Sequence, residues 1–513
     1  MGYDICGGCG DLLNLFPNSS RLFKARRFRS HGNSHQIIMS QFLTDYEKAT
    51  DEHFEEVPVG LDEAHKAYLV ERHGTYNLDP IPSSDPNDPL NWPNKKKYVH
   101  IALISFQIMT CTFVAAGLTQ VYIKFAEDYG VSMNEASYTT SVQIVIMGVL
   151  PIIFVPLMNT YGRNKFLAVS TLINFGLSIA GAYCKTYSQQ IATRCLVGVF
   201  NSFAVATGSS IVRDLTFAHQ RGTFNGIWST CLVVGTPLGP IITGFIVQHT
   251  DDYKWVFFMF AIMYFLQFIS WCIVDETVYF PGQAAPKWTI PAHPFDYKLW
   301  LNPLKPIKNI NITLVCFTIM LGFAYANIAF IVELPIIFEP LFGLTPQQLS
   351  LQYIALIIGS FIGEGLAGPL SDWWMAMLLK RRGVKVIYDR LWIIYPGVIL
   401  VMIGLIVFGV CLDKVKDNKY IISPIIGAAI GAAGQNMIST VGTAFAIDND
   451  PKHAADVGLY VNLFRQVYGF VGPFYFPILF ENLGYTNGAG LLCGLVALGG
   501  AFTVVVHLRG RRT

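Results

Sequence analysis

Two carboxylates stand inside long apolar stretches: Glu333 in "NIAFIVELPIIF" and Glu364 in "LIIGSFIGEGLAG". Ionising a carboxyl in apolar surroundings is costly, so such a group suits uptake and release of a proton. Glu333 lies just before Pro335, near one end of its stretch, where an interfacial role is also open. Glu364 lies one turn before Gly368 and could instead belong to a gating network. Arg194 is likewise set among apolar residues, with Gly198 four positions on. It faces either a cavity or a partner, or it snorkels to the surface from the outer part of a helix. The eleven histidines do not gather with Asp or Glu, so neither a metal site nor acid–base machinery is indicated. No glycine loop of the phosphate-cradling kind occurs, which argues against an ATP-driven machine. Cys6 and Cys9 form "CGGC" without two further ligands at suitable spacing. The other eight cysteines sit mostly in apolar runs, as small core residues. The expectation is no enzyme, no metal and no cofactor.

The elements that hold these residues follow from composition. The 513-residue chain is 52% hydrophobic and only 14% charged, against roughly 25% charged in soluble domains. Its mean hydropathy is +0.43. Such a chain is built for the bilayer, where a crossing takes about 20 apolar residues. Spans are expected near 99–122, 138–158, 166–184, 190–211, 224–248 and 254–274, then near 310–337, 348–370, 391–412, 420–446, 457–480 and 489–507. The fold class is therefore all-α integral membrane, with about twelve transmembrane helices in two six-helix pseudo-symmetric halves. Its parts are a largely disordered tail (1–97), an N-terminal half (98–275), a central loop (276–308), a C-terminal half (309–507) and a short tail (508–513).

Charge placement sets the orientation. Lys95–Lys97, Arg163, Lys165, Arg213, Arg221, the Lys298–Lys308 group, Lys380 to Lys385, Lys452 and the basic end Arg509, Arg511 and Arg512 fall on one side. The excess marks that side, and both termini, as cytoplasmic. Lys414, Lys416 and Lys419 fall on the other side and break the pattern. The sequons at Asn18 and Asn311 would then face the cytosol. The acidic, polar text from Met39 makes that residue a candidate start, and the basic run Arg21 to Arg29 is a poor transit peptide because Asp4 and Asp11 flank it.

The stretch "GTPLGPIITG" places helix breakers inside the fifth span. Gly235, Gly239 and Thr243 form one four-residue stripe, and Thr236, Pro240 and Gly244 form the next. Small residues at this spacing let membrane helices approach closely. Pro237 and Pro240 remove backbone donors, which is tolerated where neighbours satisfy the freed carbonyls.

With Gly226 upstream, this stretch resembles the fifth-helix motif of antiporters in the major facilitator superfamily, with Thr243-Gly244 in place of the usual double glycine. "PLMNTYGRNK" resembles that superfamily's gating loop, keeping Leu157, Gly162 and Arg163. Asn159 and Thr160 stand where the family has an aspartate and an arginine, which should weaken the latching charges. The matching loop "GPLSDWW" keeps Gly368, Leu370 and Asp372. Arg194 with Gly198 is similar to the family's fourth-helix arginine motif, while Arg213, Asp214 and Arg221 could supply salt bridges nearby. "DPNDPLNWPNKKK", "DETVYFPG" and "VNLFRQVYGFVGPFYFP", the last with Asn462, Arg465 and Gln466, are similar to the fungal branch of twelve-helix drug:proton antiporters.

That resemblance implies a central cavity lined by the first, fourth, seventh and tenth helices. Gln107, Thr110, Asn201, Ser202, Tyr325, Asn327, Gln435 and Asn436 are its polar or aromatic candidates, each of which could instead be interhelical glue. "GAAIGAAGQN" carries small residues that could serve packing alone. Amides with few charges suit a lipophilic compound. The resemblance further implies proton-driven efflux of a xenobiotic or secondary metabolite from the plasma membrane. The expected partners are a small-molecule substrate, protons and lipid, with no nucleic acid, in a monomer that needs no ATP. Alternatives are an uptake carrier for a nutrient or chelate, and a non-transporting receptor.

Overall fold

The computed structural model describes residues 62–250, 252–279, 297–383, 386–415 and 419–510. Cys6, Cys9, Asn18, the run Arg21 to Arg29, Met39, Lys385, Lys416, Arg511 and Arg512 lie outside the described residues. Contacts divide the chain into Met1–Glu71 and Arg72–Thr513. Of the first unit, the description begins with the start of the helix Glu63–His73, where Lys66 pairs with Glu63 at 2.8 Å.

Among the described residues of the second unit, nine helices are long and apolar enough to cross a membrane, and one bent pair makes a tenth. We name them in order. The first, α1, runs Asn94–Tyr129; the bent α2 joins Met133–Val149 to Pro151–Tyr161 at 50°. Pro151 opens the second arm, where a missing N–H costs little. Then come α3 (Asn164–Ala182), α4 (Tyr187–Leu215), α5 (Ala218–Thr250) and α6 (Lys254–Ile273). In the other half, α7 is Ile310–Phe342, α8 is Pro346–Arg382 and α9 is Ile387–Asp413. Next, α10 (Ser423–Asn449) is long enough to cross at 27 residues but is diluted by Gly and Ala.

The last helix, Ala454–Gly510, has 57 residues. At ~1.5 Å per residue it would far exceed a ~30 Å hydrocarbon core. It turns at Gly484, whose φ of 76° favours glycine. Residues 454–483 are α11 and residues 485–510 are α12. Both arms lie along α7, since Thr313 meets Tyr460 and Thr318 meets Thr503. Twelve crossings result.

The packing repeats itself. In the first half α1 packs on α5, α2 on α4 and α3 on α6; in the second, α7 packs on α11, α8 on α10 and α9 on α12. The halves meet through α2 against α11 and α5 against α8. Glycines set close approaches, also between α9 and α10. A Cβ on Gly404 would lie 2.5 Å from Gly431 N, and one on Gly434 would lie 2.5 Å from Gly397 O. So "GAAIGAAGQN" packs α10 against both α9 and α8, where a Cβ on Gly359 would lie 2.1 Å from Ala429 O.

The segment before α1 departs from the expected disorder over its described part. Asp88 accepts from Ser83 N, Ser83 Oγ and Leu90 N at 2.8 to 2.9 Å. Buried Asn91 donates to Ser83 O and Asp85 O. Lys96 pairs with Asp275 at 2.6 Å, and Tyr279 donates to Asp85. The stretches "DPNDPLNW" and "DETVY" are thus one folded unit, and α1 starts at Asn94, ahead of the expected 99.

Candidate functional site

The turn between α2 and α3 is held by a dense set of hydrogen bonds. Gly162 takes a φ of 89°, and a Cβ there would lie 2.8 Å from Glu276 Oε2. Glu276, from the segment after α6, accepts from the backbone N–H of Arg163 and Asn164 at 3.0 and 2.9 Å. It also accepts from Thr277 N and Val278 N. A carboxylate at the start of α3 satisfies donors that the helix cannot and complements its dipole. The Arg163 side chain bonds Asp214 at the end of α4 at 2.6 Å. It also donates twice to Asn159 Oδ1, at 3.1 and 2.9 Å. The missing family aspartate therefore does not open the latch. An amide oxygen takes the same two N–H groups, and Asp214 and Glu276 supply the charge. Arg213 lies 3.6 Å from Asp214. Leu157 is half-buried on the second arm of α2.

The second half repeats the arrangement at the ends of α8, α9 and α10. Arg390 reaches Asp372 at 3.5 Å and Asp448 at 3.2 Å. Gly368 has open space around it.

The fifth-helix stripe makes the contacts its spacing predicts. A Cβ on Gly235 would lie 2.4 Å from Met109 O, and one on Gly239 would lie 2.4 Å from Phe113 O. Both are backbone atoms of α1, which cannot yield. Thr112 of α1 donates to Leu232 O of α5 at 3.0 Å. Gly244 instead faces α8, where a Cβ on it would lie 2.7 Å from Pro346 O and 2.5 Å from Ser350 Cβ, so it belongs to the interface between halves. Pro240 is buried, and α5 runs unbroken through both prolines. Gly226 is exposed with nothing within 4 Å, so the spacing that includes it in the motif carries no packing role. Gly198 faces Gln143 and Ile146 of α2.

A cavity lies between the halves. Its polar wall is Thr112, Thr140, Thr236, Asn462, Arg465 and Gln466, and its apolar wall includes Ile144, Met147, Phe323, Ile328 and Ile331. None of the expected cavity residues lines it. Gln107 accepts from Trp271 of α6, and Asn201 accepts from Asn174 of α3 and Tyr264 of α6 at 2.8 and 2.9 Å. Thr110 accepts from Gln267 at 2.6 Å, and Ser202 turns back onto its own helix. These are bonds inside the first half. Tyr325 and Tyr468 hydroxyls bond α7 to α11. Tyr325 and Asn327 sit on a π-helical segment of α7, Ala324–Ile328. Such segments recur at functional sites. Asn436 bonds Ala432 O, and buried Gln435 leaves its carbonyl oxygen without a partner. Asn462, Arg465 and Gln466 line the cavity, residues that the sequence marks only as part of the eleventh-span motif and not as cavity residues. An arginine alone at membrane depth was the signal that could have found them.

Of the charged candidates, Arg194 is 0% exposed, with all three guanidinium nitrogens unpartnered and Phe257 5.0 Å away. It does not snorkel. Glu333 is buried within the protein, and neither carboxyl oxygen has a hydrogen-bond partner. Glu364 links the halves, accepting from Ser229 of α5 at 3.2 Å and Thr440 of α10 at 2.6 Å. Among the described residues no group of three His, Cys, Asp or Glu could hold a metal.

This architecture agrees with known proteins. The Major Facilitator Superfamily profile matches residues 101–473. Efflux pump radE of Floropilus chiversii is 24% identical over 83% of this chain and 83% of its own length. MFS transporter cpaT of Aspergillus oryzae is 27% identical over 81% and 87%, and probable efflux pump mfs2 of Aspergillus flavus is 23% identical over 72% and 92%. The crystal structure of the human organic anion transporter MFSD10 (TETRAN) shares the fold, with a TM-score of 0.54 and 13% identity over 80% of this chain and all of that one. Twelve paired helices, a bonded loop in each half and a cavity between them, together with this match, make the chain a member of the major facilitator superfamily of multi-pass membrane transporters.

Proposed function

We propose that the protein is a proton-driven exporter of a small lipophilic organic compound, a xenobiotic or secondary metabolite, working by alternating access of its two halves. The observation that carries this reading is the cavity between the halves, with an apolar wall and a short polar one. The α5 stripe supports it, since Gly235 and Gly239 lock α5 onto α1 within the first half while Gly244 brings α5 close to α8, where the halves must rock. Two relatives of similar length are named efflux pumps. Glu333 and Glu364 are the proton-carrying candidates. One is buried and unpartnered, and the other bridges the halves. The basic excess at the end holding Arg163 supports cytoplasmic termini. We assign the carrier to the plasma membrane as a monomer that needs no cofactor or ATP.

The test is metabolite profiling of cells and medium with the gene deleted and restored, followed by flux in proteoliposomes with an imposed pH gradient. Export predicts a compound that accumulates in deleted cells and falls in the medium. A compound lost from cells and left in the medium would reverse the direction. Flux indifferent to the gradient would remove the proton.

A further inference from the structure

The cavity's only charged side chain among its described lining residues is Arg465. It stands one helical turn from Asn462 on α11, and Asn462 donates across the half interface to Met147 O of α2 at 3.3 Å. A guanidinium has five N–H donors. Here a single bond uses one of them, from Nη2 to Asn462 Oδ1 at 3.3 Å, while Nε has no partner. Its Cζ lies over the Phe323 ring, 4.8 Å from the centroid, a contact that holds the group without consuming donors. Glu364 acts on Arg465 electrostatically, but its two oxygens are held by Ser229 and Thr440. The carboxylate thus offsets the charge and leaves the donors unused.

From this geometry we infer that the cavity selects an apolar compound carrying one anionic oxygen group, a carboxylate or an ionised phenol or enol, which binds Arg465. The inference rests on the reading of this cavity as the substrate site and narrows its substrate class. A planar oxyanion takes two guanidinium N–H groups at once. A lipophilic cation meets the opposite field in a poorly hydrated site and is rejected. The apolar wall then holds the remainder of the molecule.

The test is equilibrium binding of three probes on one ring, 2-naphthoate, 2-naphthamide and 2-naphthamidinium, to the detergent-purified full chain. The carboxylate should bind about tenfold tighter than the amide, the scale of one charge-assisted pair over a neutral one, and the amidinium should bind weakest. Arg465→Gln should bring carboxylate and amide within about twofold while the amide affinity holds, a pattern that general loss of structure would not give. Where Arg465→Gln does not fold, Arg465→Lys carries the test, with an intermediate ratio expected. An unchanged carboxylate-to-amide ratio in either variant would overturn the inference. So would amidinium binding as tightly as naphthoate, or no saturable binding of any probe. Binding needs no gradient and has no direction. Efflux observed in cells without charge-selective binding sinks the anion reading alone, and charge-selective binding without efflux sinks the exporter reading alone.

Discussion

The two gating loops of this protein invert what their sequences suggest. The first, "PLMNTYGRNK", lacks the family's aspartate; the second, "GPLSDWW", keeps it. Yet the first latch is the tighter. The Arg163 side chain is 4% exposed and lies 2.6 Å from Asp214, with Asn159 accepting beside it and Glu276 holding its backbone N–H. In the second, Asp372 is 73% exposed and stands 3.5 Å from Arg390, which lies nearer Asp448, at 3.2 Å. Burial and the number of partners set the strength of an ion pair more than the identity of one acid does. The first half also recruits Glu276 from far along the chain; the motif "DETVYFPG" contains it, but nothing in that motif says which loop it reaches.

The sharpest test of the difference removes each arginine in turn. Arg163→Ala strips Asp214 and Asn159 of their shared partner in a largely buried site. A loss of about 3 kcal/mol is expected, read as a fall in the melting temperature of the detergent-solubilised protein. Arg390→Ala should cost less than half as much. Equal losses would break the comparison. Next comes Glu276→Gln. Its Oε2 accepts from Asn164 N, and an amide nitrogen placed there would set donor against donor. The expected cost is about 1–2 kcal/mol. A neutral result would mean that the carboxylate does not hold the start of α3.

How much of this was legible before the structure depends on what each signal encodes. Gly235 and Gly239 were readable because a four-residue stripe of small residues is itself the condition for close approach. The twelve crossings were readable for the same reason, since length and apolarity are sequence properties. The cavity was not. Gln107 and Asn201 sit on helices that are apolar on most faces, so apolar periodicity does not say which face turns to α6 and which to the opposite half. Rotation is fixed by partners such as Trp271 and Tyr264, and those contacts are tertiary. Arg465 carried a signal that was set aside, a charge at membrane depth in the eleventh span. Gly226 matched a pattern without meeting any neighbour.

The smallest effects decide whether the comparison concerns residue identity or environment. If identity ruled, Asn159→Asp would repair the first latch and Asp372→Asn would ruin the second. The geometry predicts neither. Asn159 already accepts both guanidinium donors within reach, and Asp214 already balances the charge. A second acid should therefore add less than about 1 kcal/mol. Asp372 is exposed at a distance where water competes, and Arg390 keeps Asp448, so Asp372→Asn should cost under about 0.5 kcal/mol. Melting temperatures of the two variants at low and high salt would measure this, because salt weakens exposed pairs and spares buried ones. A salt-insensitive loss in Asp372→Asn above that of Glu276→Gln would show that the second loop carries the stronger latch, and the order argued here would be reversed.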